Sequence, residues 1–301
     1  MQTIQTSQGT LRGKLCVPQG VAPRTVQLLV HGATYTRTYF DWPQQPARYS
    51  YAGRALKAGY ATFAVDRLGA GESAHPASAE VNITSGAQAL SEVVSALRTR
   101  FSRVVWVGHS FGSIYAWSEA LTHADVDAFV ITGMLHHNTS GFLTNAFTGV
   151  APAMFDPSYG GPAPDAGYLT TLPGKRGTLF YDTATADPAV IARDEQTKST
   201  MTGTELATGA PLTADLPSSL GIAVPVLIVV GDHDNISCTG PDAANCSTAD
   251  AVLARERPFY RPGLPLDAYV APTTGHDLQL HPSAPQTSAA MIAWVKSKSA
   301  P

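Results

Sequence analysis

Short apolar segments alternate with segments of helical periodicity along most of this chain. Val26 to Val30, Tyr60 to Val65 and Val104 to Val107 are apolar runs of strand length. Between the last two, apolar residues that include Ala87 and Leu97 recur at helical spacing and predict a helix over about Ser85 to Arg100. Such alternation is typical of a mostly parallel sheet with helices on both faces. We therefore predict an α/β fold with a mostly parallel central sheet.

The same alternation opens the chain and returns near its carboxyl terminus. The other predicted strands are Thr3 to Thr6, Leu11 to Val17, Ala128 to Thr132, Val224 to Val230 and Leu266 to Val270, and the other predicted helices are Tyr51 to Ala58, Phe111 to about Leu121, Thr248 to Glu256 and Gln286 to Lys298.

Residues 135–221 interrupt this pattern. Gly149 to Gly174 holds five glycines and five prolines in 26 residues, which is too many helix and strand breakers for a core element. Asp187 and Pro188 then predict the start of a short helix that ends near Glu195. We predict a core domain of residues 1–134 and 222–301 with an inserted cap of residues 135–221. The cap should govern substrate choice more than serine reactivity, with its Gly/Pro-rich half as a mobile gate.

Composition excludes several classes of function. Among 301 residues, 20 are basic and 23 acidic, a formal charge of −3, so the chain offers no basic field for nucleic acid or anionic lipid. Only 14% of residues are charged and 44% are apolar, as expected for a large buried core. The longest strongly apolar run, Val224 to Val230, is far shorter than the roughly 20 residues of a membrane-spanning helix. We expect no membrane span.

The three cysteines are Cys16, Cys238 and Cys246. They lack the paired spacing of a structural zinc site. Cys238 and Cys246 lie close together in a polar loop, so we predict a local disulfide, with two reduced cysteines as the alternative. A disulfide favours a secreted protein, whereas Met1 is followed by polar residues that do not form a secretory signal. Secretion is the expectation and a cytoplasmic location the alternative.

The strongest chemical signal is Gly108-His109-Ser110-Phe111-Gly112, which matches G-x-S-x-G. The match follows a predicted buried strand and precedes a predicted helix, as a strained strand-turn-helix elbow requires. In such an elbow the serine hydroxyl points out of the sheet, and the flanking glycines avoid collisions with neighbouring backbone. The amides of the helix N-terminus favour a developing anion. We predict that Ser110 is a nucleophile.

This motif and four further segments resemble the α/β-hydrolase superfamily, in the order of that family. The further segments are Leu28-Leu29-Val30-His31-Gly32-Ala33, similar to the oxyanion loop; Asp66-Arg67-Leu68-Gly69-Ala70-Gly71-Glu72-Ser73, similar to the D-x-x-G-x-G-x-S turn; Gly231-Asp232-His233-Asp234, similar to the acid turn; and Gly275-His276-Asp277, similar to the histidine loop. The resemblance covers most of the chain outside residues 135–221 and implies a serine esterase-like or lipase-like member with a cap.

Each residue of the predicted site has a chemical role. A serine hydroxyl is a weak nucleophile, so Ser110 needs a base, for which we assign His276. Asp234 should accept the Nδ1–H of His276 and fix its tautomer. The backbone amides of Ala33 and Phe111 should bind the oxyanion. This chemistry needs no cofactor and no metal.

Several residues keep alternative interpretations. Asp232 is the alternative acid, but it directly follows the strand, where we expect it to cap the turn. His136 and His137 are adjacent and lack a carboxylate at metal-ligand spacing, so we expect a solvated loop or pocket lining rather than a metal site. Four aromatic residues of the predicted cap are candidates either for lining an apolar pocket or for packing the cap: Tyr159, Tyr168, Phe180 and Tyr181.

The sequence thus predicts a serine hydrolase that cleaves a carboxylic ester or lactone of an apolar small molecule through an acyl-enzyme. Amidase, peptidase, carbon–carbon bond hydrolase and perhydrolase activities use the same triad and stay open. A serine at the elbow argues against dehalogenase and epoxide-hydrolase chemistry, which in this superfamily use aspartate there. The alternative from another class is a hydrolase-like binding protein that does not turn over. The pattern leaves the oligomeric state undefined.

Overall fold

A computed structural model of the chain describes residues 1–213 and 218–301. Residues 214–217, which belong to the predicted cap, lie outside the described residues. The strands are β1 (Gln2–Thr6), β2 (Gly9–Cys16), β3 (Thr25–Val30), β4 (Ala61–Val65), β5 (Arg103–His109), β6 (Ala128–Thr132), β7 (Val150–Pro152), β8 (Tyr168–Thr171), β9 (Met201–Thr202), β10 (Val226–Gly231) and β11 (Leu266–Ala271).

The helices are α1 (Pro46–Tyr49), α2 (Tyr51–Lys57), α3 (Ile83–Arg98), α4 (Phe111–Thr122), α5 (Ser140–Gly149), α6 (Arg176–Phe180), α7 (Pro188–Gln196), α8 (Gly203–Thr213), α9 (Ala249–Glu256) and α10 (Ala284–Lys298). Short 3₁₀ helices span Arg37–Tyr39, Ser78–Glu80, Ala153–Phe155, Ser218–Gly221, Arg257–Phe259 and Leu278–Leu280.

The central sheet has eight strands in the order β1-β2-β4-β3-β5-β6-β10-β11. The first two pairings, β1 with β2 and β2 with β4, are antiparallel, and the five from β4 to β11 are parallel. The predicted α/β fold is therefore confirmed. Because the parallel strands share one direction, their carboxyl ends meet at a single edge of the sheet, where open α/β sheets bind ligands.

Side chains of the central strands alternate between two cores, one on each face of the sheet. On β5, Val104 and Trp106 belong to one core, whereas Val105 and Val107 belong to the other. All four are fully buried. Burial on both faces explains why these strands are continuous apolar runs in the sequence rather than alternating ones.

Helix α3 shows how local signals set an element's bounds. It begins at Ile83, two residues before the predicted start. Asn82 accepts the backbone amide of Ser85, and the Ser85 hydroxyl accepts the amide of Asn82, so the two side chains form a capping box. This box satisfies amides that the helix itself leaves unpaired, and it sets the helix start at Ile83, whose side chain is buried in the core.

Among the described residues, 135–221 contribute no strand to the central sheet. They form a separate antiparallel sheet in the order β7-β8-β9, together with helices α5 to α8. Within residues 149–174, the short strand β8 pairs on both sides, and its Tyr168 is fully buried. The domain boundaries and the gate stay predictions. We use "cap" below for residues 135–213 and 218–221.

The structure joins Cys238 to Cys246 in a disulfide, as the sequence predicts, and leaves Cys16 free. The bond closes the loop after β10. At the start of that loop, the amide of Cys238 donates to the carbonyl of Asp234 (2.7 Å). None of the helices in residues 1–213 and 218–301 combines the length and apolarity needed to cross a membrane.

Reduction of this disulfide should destabilise the protein by about 2 to 3 kcal/mol, because the bond removes freedom from a short loop of the unfolded chain. Chemical unfolding of the Cys238→Ser/Cys246→Ser variant, beside the wild type with and without reductant, measures the effect. The Cys16→Ser variant is the control and should unfold like the wild type. Equal stability of the double variant and the oxidised wild type would contradict a contribution from the bond.

Candidate active site

Four loops at the carboxyl edge of the central sheet supply the candidate site. Ala33 follows β3, Ser110 follows β5, Asp234 follows β10 and His276 lies in the loop after β11. More than 240 residues separate Ala33 from His276 in the sequence. The parallel sheet brings these loops to one edge, where the sequence analysis places the catalytic residues.

Ser110 adopts a strained backbone at the turn between β5 and α4. Its φ is 53° and its ψ is −116°, outside the regions that side-chain-bearing residues favour. A Cβ on Gly112 would overlap the carbonyl oxygen of Val30 in β3, and one on Gly108 would overlap the carbonyl of Gly112. Both flanking glycines are therefore required by close backbone packing. The turn has the form of the predicted elbow.

His276 and Asp234 form a buried hydrogen-bonded pair. Nδ1 of His276 lies 3.0 Å from Oδ2 of Asp234, and both side chains are 1% exposed. The other oxygen of Asp234 accepts the amide of Ile236 (2.9 Å), which fixes the carboxylate. Nε2 of His276 is buried and has no hydrogen-bond partner within the described part of the chain. That nitrogen is free to accept a proton.

The pKa of His276 lies above its ordinary value of 6.5. Burial by itself lowers this pKa, but the charge of Asp234 and its hydrogen bond favour the imidazolium more strongly. The raised pKa means that His276 binds a proton more tightly than an ordinary histidine does. The imidazolium that forms when a nucleophile is deprotonated is therefore stabilised by Asp234.

Asp232 has a structural position. Its Oδ1 accepts the amide of Thr274 (3.1 Å), two residues before His276, and its own amide donates to the carbonyl of Ala271. The carboxylate thus caps the turn that carries the histidine loop, as the sequence leads us to expect.

Ser110 and His276 lie on either side of a common backbone segment. The amide of Ser110 donates to the carbonyl of Thr132 at the end of β6 (2.8 Å). A Cβ on the next residue, Gly133, would lie 3.0 Å from Cε1 of His276 and 2.9 Å from Cε1 of His109. The ring centres of the two histidines are 4.8 Å apart. His109 is fully buried and stacks on Tyr39.

The loop with Ala33 packs directly against the elbow. A Cβ on Gly32 would lie 3.0 Å from the Cβ of Ser110. Burial lowers the pKa of His31, and its neutral ring accepts the amide of Arg67 at Nε2 (3.1 Å). Phe111 is the first residue of α4, so no carbonyl of that helix can accept its amide. The amides of Ala33 and Phe111 thus come from two backbone segments in contact.

Thr34, next to Ala33, has a left-handed backbone with φ of 60°, which is costly for a β-branched residue. Strain of this kind costs about 1 to 3 kcal/mol and persists where the surroundings hold it. Here the holding groups come from the cap. The amide of Ser199 donates to the Thr34 carbonyl (2.8 Å), and Nη1 of Arg176 donates to the Thr34 hydroxyl (2.9 Å).

A buried network that the sequence analysis missed joins the cap to the histidine loop. Arg176 pairs with Asp194 through Nε (2.8 Å), and both side chains are at most 1% exposed. The Tyr35 hydroxyl lies within hydrogen-bond distance of Asp194 (2.8 Å) and of Asp277, the residue after His276. Burial raises the pKa of both acids, and the charge of Arg176 acts in the opposite direction on each.

A second buried ion pair links the core to the cap. Nη1 of Arg67 pairs with Glu205 of α8, and both side chains are at most 1% exposed. The same guanidinium donates to the carbonyls of His31 and Gly32, each at 3.2 Å. Only Arg67 and Asp277 belong to motifs visible in the sequence. The cap residues Asp194 and Glu205 lie 83 residues from Asp277 and 138 residues from Arg67, and they carry no local signal.

Ser110 opens into an apolar cavity of about 430 Å³, a common size for a small-molecule site. Its wall includes Ala33, Thr34 and Phe111 from the core and residues of α5 and α8 from the cap. None of the described residues that line it carries a charged side chain. The polar lining side chains are Thr34, Ser110, Asn138, Thr171 and Thr213.

His136 differs from the expectation. It is buried between Trp117 and Phe259, with ring centres at 4.2 and 4.4 Å, and its Nδ1 lies 2.7 Å from Glu256. The prediction of a solvated loop or pocket lining is therefore wrong for His136, because a carboxylate distant in sequence pairs with it. In the described ranges no group of three or more His, Cys, Asp or Glu could hold a metal.

Of the four aromatic candidates, only Phe180 lines the cavity among the residues described. Tyr168 and Tyr181 are buried in the cap, where their hydroxyls donate to the carbonyl of Pro76 (2.6 Å) and to Asp194 (2.9 Å). The Tyr159 hydroxyl donates to the carbonyl of Pro162 (3.1 Å).

The sequence pattern of the Alpha/beta hydrolase family matches residues 27–286. No curated protein matches the chain. The chain belongs to the α/β hydrolase family, as its motifs and its sheet indicate.

Solved structures of similar fold include esterases and a meta-cleavage product hydrolase. A thermophilic esterase from Thermogutta terrifontis is 18% identical with a TM-score of 0.66, and the match covers 99% of this chain and 98% of that one. An esterase from Exiguobacterium antarcticum is 17% identical with a TM-score of 0.68, over 98% and 99%. A meta-cleavage product hydrolase from Pseudomonas fluorescens is 15% identical with a TM-score of 0.62, over 99% and 98%. At these identities the likeness shows the fold alone.

The Asp234→Asn variant should lower kcat by roughly 10⁴-fold, because the histidine tautomer is no longer fixed and its cation is no longer stabilised. In the wild type, kcat/KM should rise with pH through a midpoint above 6.5, where His276 loses its proton. Loss of the Asp234 charge lowers that pKa, so the midpoint of the residual activity should move to lower pH. Steady-state kinetics with an activated ester from pH 5 to 9 measure both effects.

Asp232→Asn is the matched control. An amide oxygen can still accept the Thr274 amide, so kcat should stay within a few-fold of the wild type. A reversed pair of phenotypes would show that Asp232 is the acid.

Proposed function

We propose that this member of the α/β hydrolase family is a serine hydrolase that cleaves a carboxylic ester or lactone of an uncharged, apolar small molecule. The observation that carries the proposal is the arrangement at the elbow. Ser110 stands on a strained turn at an apolar cavity, and His276 bonds to Asp234 through Nδ1 while its buried Nε2 has no hydrogen-bond partner in the described chain.

The mechanism follows from these groups. His276 Nε2 takes the proton of the Ser110 hydroxyl as its oxygen attacks the ester carbonyl carbon. The amides of Ala33 and Phe111 stabilise the oxyanion, each by roughly 3 kcal/mol. The imidazolium returns the proton to the departing alkoxide, which leaves as the alcohol. Water, deprotonated by His276, then attacks the acyl-enzyme and releases the acid, and Ser110 recovers its proton.

The character of the cavity supports an ester or lactone over a peptide. A peptide brings several amide groups into the site, and each costs free energy when it is buried without a partner. The wall offers few polar side chains, and the amide of Asn138 already donates to Thr213 (2.7 Å). Simple esters bring one carbonyl that needs donors, and the oxyanion amides supply them.

A Ser110→Ala variant should lose turnover of p-nitrophenyl esters by roughly 10⁴-fold or more. The hydroxyl fills no core space, so the thermal unfolding temperature should stay near that of the wild type. A fluorophosphonate probe should label the wild type on the peptide that contains Ser110 and leave the variant unlabelled. Near-wild-type turnover in the variant would contradict the assignment, and a folded wild type that neither reacts nor turns over would favour a binding protein.

Neutral esters should be preferred over anionic esters of the same length. p-Nitrophenyl butyrate should exceed the p-nitrophenyl hemisuccinate monoanion by about 100-fold in kcat/KM, because none of the described lining residues offers a cation to a buried carboxylate. Parallel rates with the corresponding p-nitroanilides compare ester and amide cleavage. Equal efficiency for the two esters would contradict an apolar substrate class, and faster anilide cleavage would favour an amidase.

A further inference from the structure

The cap forms part of the cavity wall, and it also contacts the loops that carry the candidate catalytic groups. Arg176 is fully buried directly behind the cavity wall. Its Nη1 donates to the hydroxyl of Thr34 (2.9 Å) and lies 3.4 Å from the hydroxyl of Thr171, and both threonines line the cavity. Arg176 thus contacts residues of the cavity wall but does not itself line the cavity.

The position of Arg176 is fixed from two directions. Asp194 accepts its Nε at 2.8 Å. The plane of its guanidinium lies over the Tyr35 ring, with 4.1 Å from Cζ to the ring centre, and faces Phe180 at 5.2 Å. A planar cation with fixed edges can hold Asp194 and Thr34 together, which a flexible ammonium group cannot do.

Thr34 is the residue that Arg176 holds through this hydrogen bond. Its left-handed backbone follows Ala33, whose amide is the predicted oxyanion donor, so rotation at Thr34 would turn the adjoining peptide and redirect the loop. Two cap groups hold it: Arg176 at the hydroxyl, with a longer contact of 3.4 Å to the carbonyl, and the Ser199 amide at the carbonyl. The strain at Thr34 is thus held by residues of the cap.

We propose that Arg176 is a positioning residue, which acts through Thr34 to hold the Ala33 amide where the oxyanion forms, with Asp194 orienting Arg176. This proposal rests on the proposed serine mechanism. The sequence predicts a cap that governs substrate choice, and the proposal adds a second role for it. The cap then contributes to transition-state stabilisation and not to substrate choice alone.

Binding of two matched ketones distinguishes a role of Arg176 in positioning the Ala33 amide from a role in shaping the cavity. An alkyl trifluoromethyl ketone adds the Ser110 oxygen to its carbonyl carbon and forms a hemiketal anion that needs the oxyanion amides. The matching methyl ketone fills the same cavity without stable addition. The wild type should bind the trifluoromethyl ketone far more tightly. The dissociation constant of the methyl ketone divided by that of the trifluoromethyl ketone therefore measures the stabilisation by the oxyanion site.

The test variant is Arg176→Gln/Asp194→Asn, which removes both charges and so avoids a buried unpaired carboxylate. Its ratio of dissociation constants should fall about 10- to 100-fold, with kcat reduced similarly and methyl ketone affinity unchanged. Arg176→Lys keeps a cation for Asp194, and its ratio of dissociation constants should also be lower than that of the wild type. Arg193→Gln removes an exposed cation from the same helix as Asp194, α7, and is the control.

A ratio equal to the wild type in a folded double variant and in Arg176→Lys would overturn the proposal. Equal loss of affinity for both ketones would also overturn it, because that result assigns Arg176 to cavity shape. If the double variant does not fold, Arg176→Lys alone decides between these results. A wild type with no preference for the trifluoromethyl ketone would instead overturn the serine mechanism, and the proposal with it.

Discussion

Backbone strain at the carboxyl edge of the sheet is the constraint on which the site depends. The described chain holds five non-glycine residues with positive φ, and three of them, Thr34, Ser110 and Thr273, lie in the loops that carry the proposed oxyanion amide, the proposed nucleophile and His276. Each costs about 1 to 3 kcal/mol and persists only where neighbouring groups hold it. The amide of Ser110 is held by the carbonyl of Thr132 within the core. The other two are held from outside the central sheet.

The cap supplies those outer contacts. Arg176 and Ser199 hold Thr34, and the Thr185 hydroxyl donates to the carbonyl of Thr273 (3.0 Å). The amide of Asp277, next to the histidine, donates to the Phe180 carbonyl (3.0 Å). The buried ion pair between Arg67 and Glu205 also joins the core to the cap, and loss of either partner would destabilise the protein strongly, because the other charge would stay buried. A cap fastened in this way shapes the cavity and fixes the loops beneath it.

Elements with local signals could be predicted from the sequence, and contacts between distant segments could not. The buried strand β5 and the Gly108 to Gly112 elbow were readable because apolar runs and glycine spacing follow from local packing. Helix α3 begins two residues before the predicted start of about Ser85, at the capping box that Asn82 forms with Ser85. The pairing of His136 with Glu256 and of Arg176 with Asp194 depends on how the chain folds back, which no periodicity encodes.

Direct observation of the acyl-enzyme tests the central claim that Ser110 is the nucleophile of an ester hydrolase. Rapid mixing of the protein with excess p-nitrophenyl acetate should release a burst of about one p-nitrophenolate per chain if deacylation is slow. Acid quenching in the burst should add one acetyl mass to the peptide that contains Ser110. Turnover that gives no acetyl adduct on that peptide at any quench time, before or after the first turnover, or an adduct on another residue, would contradict the account.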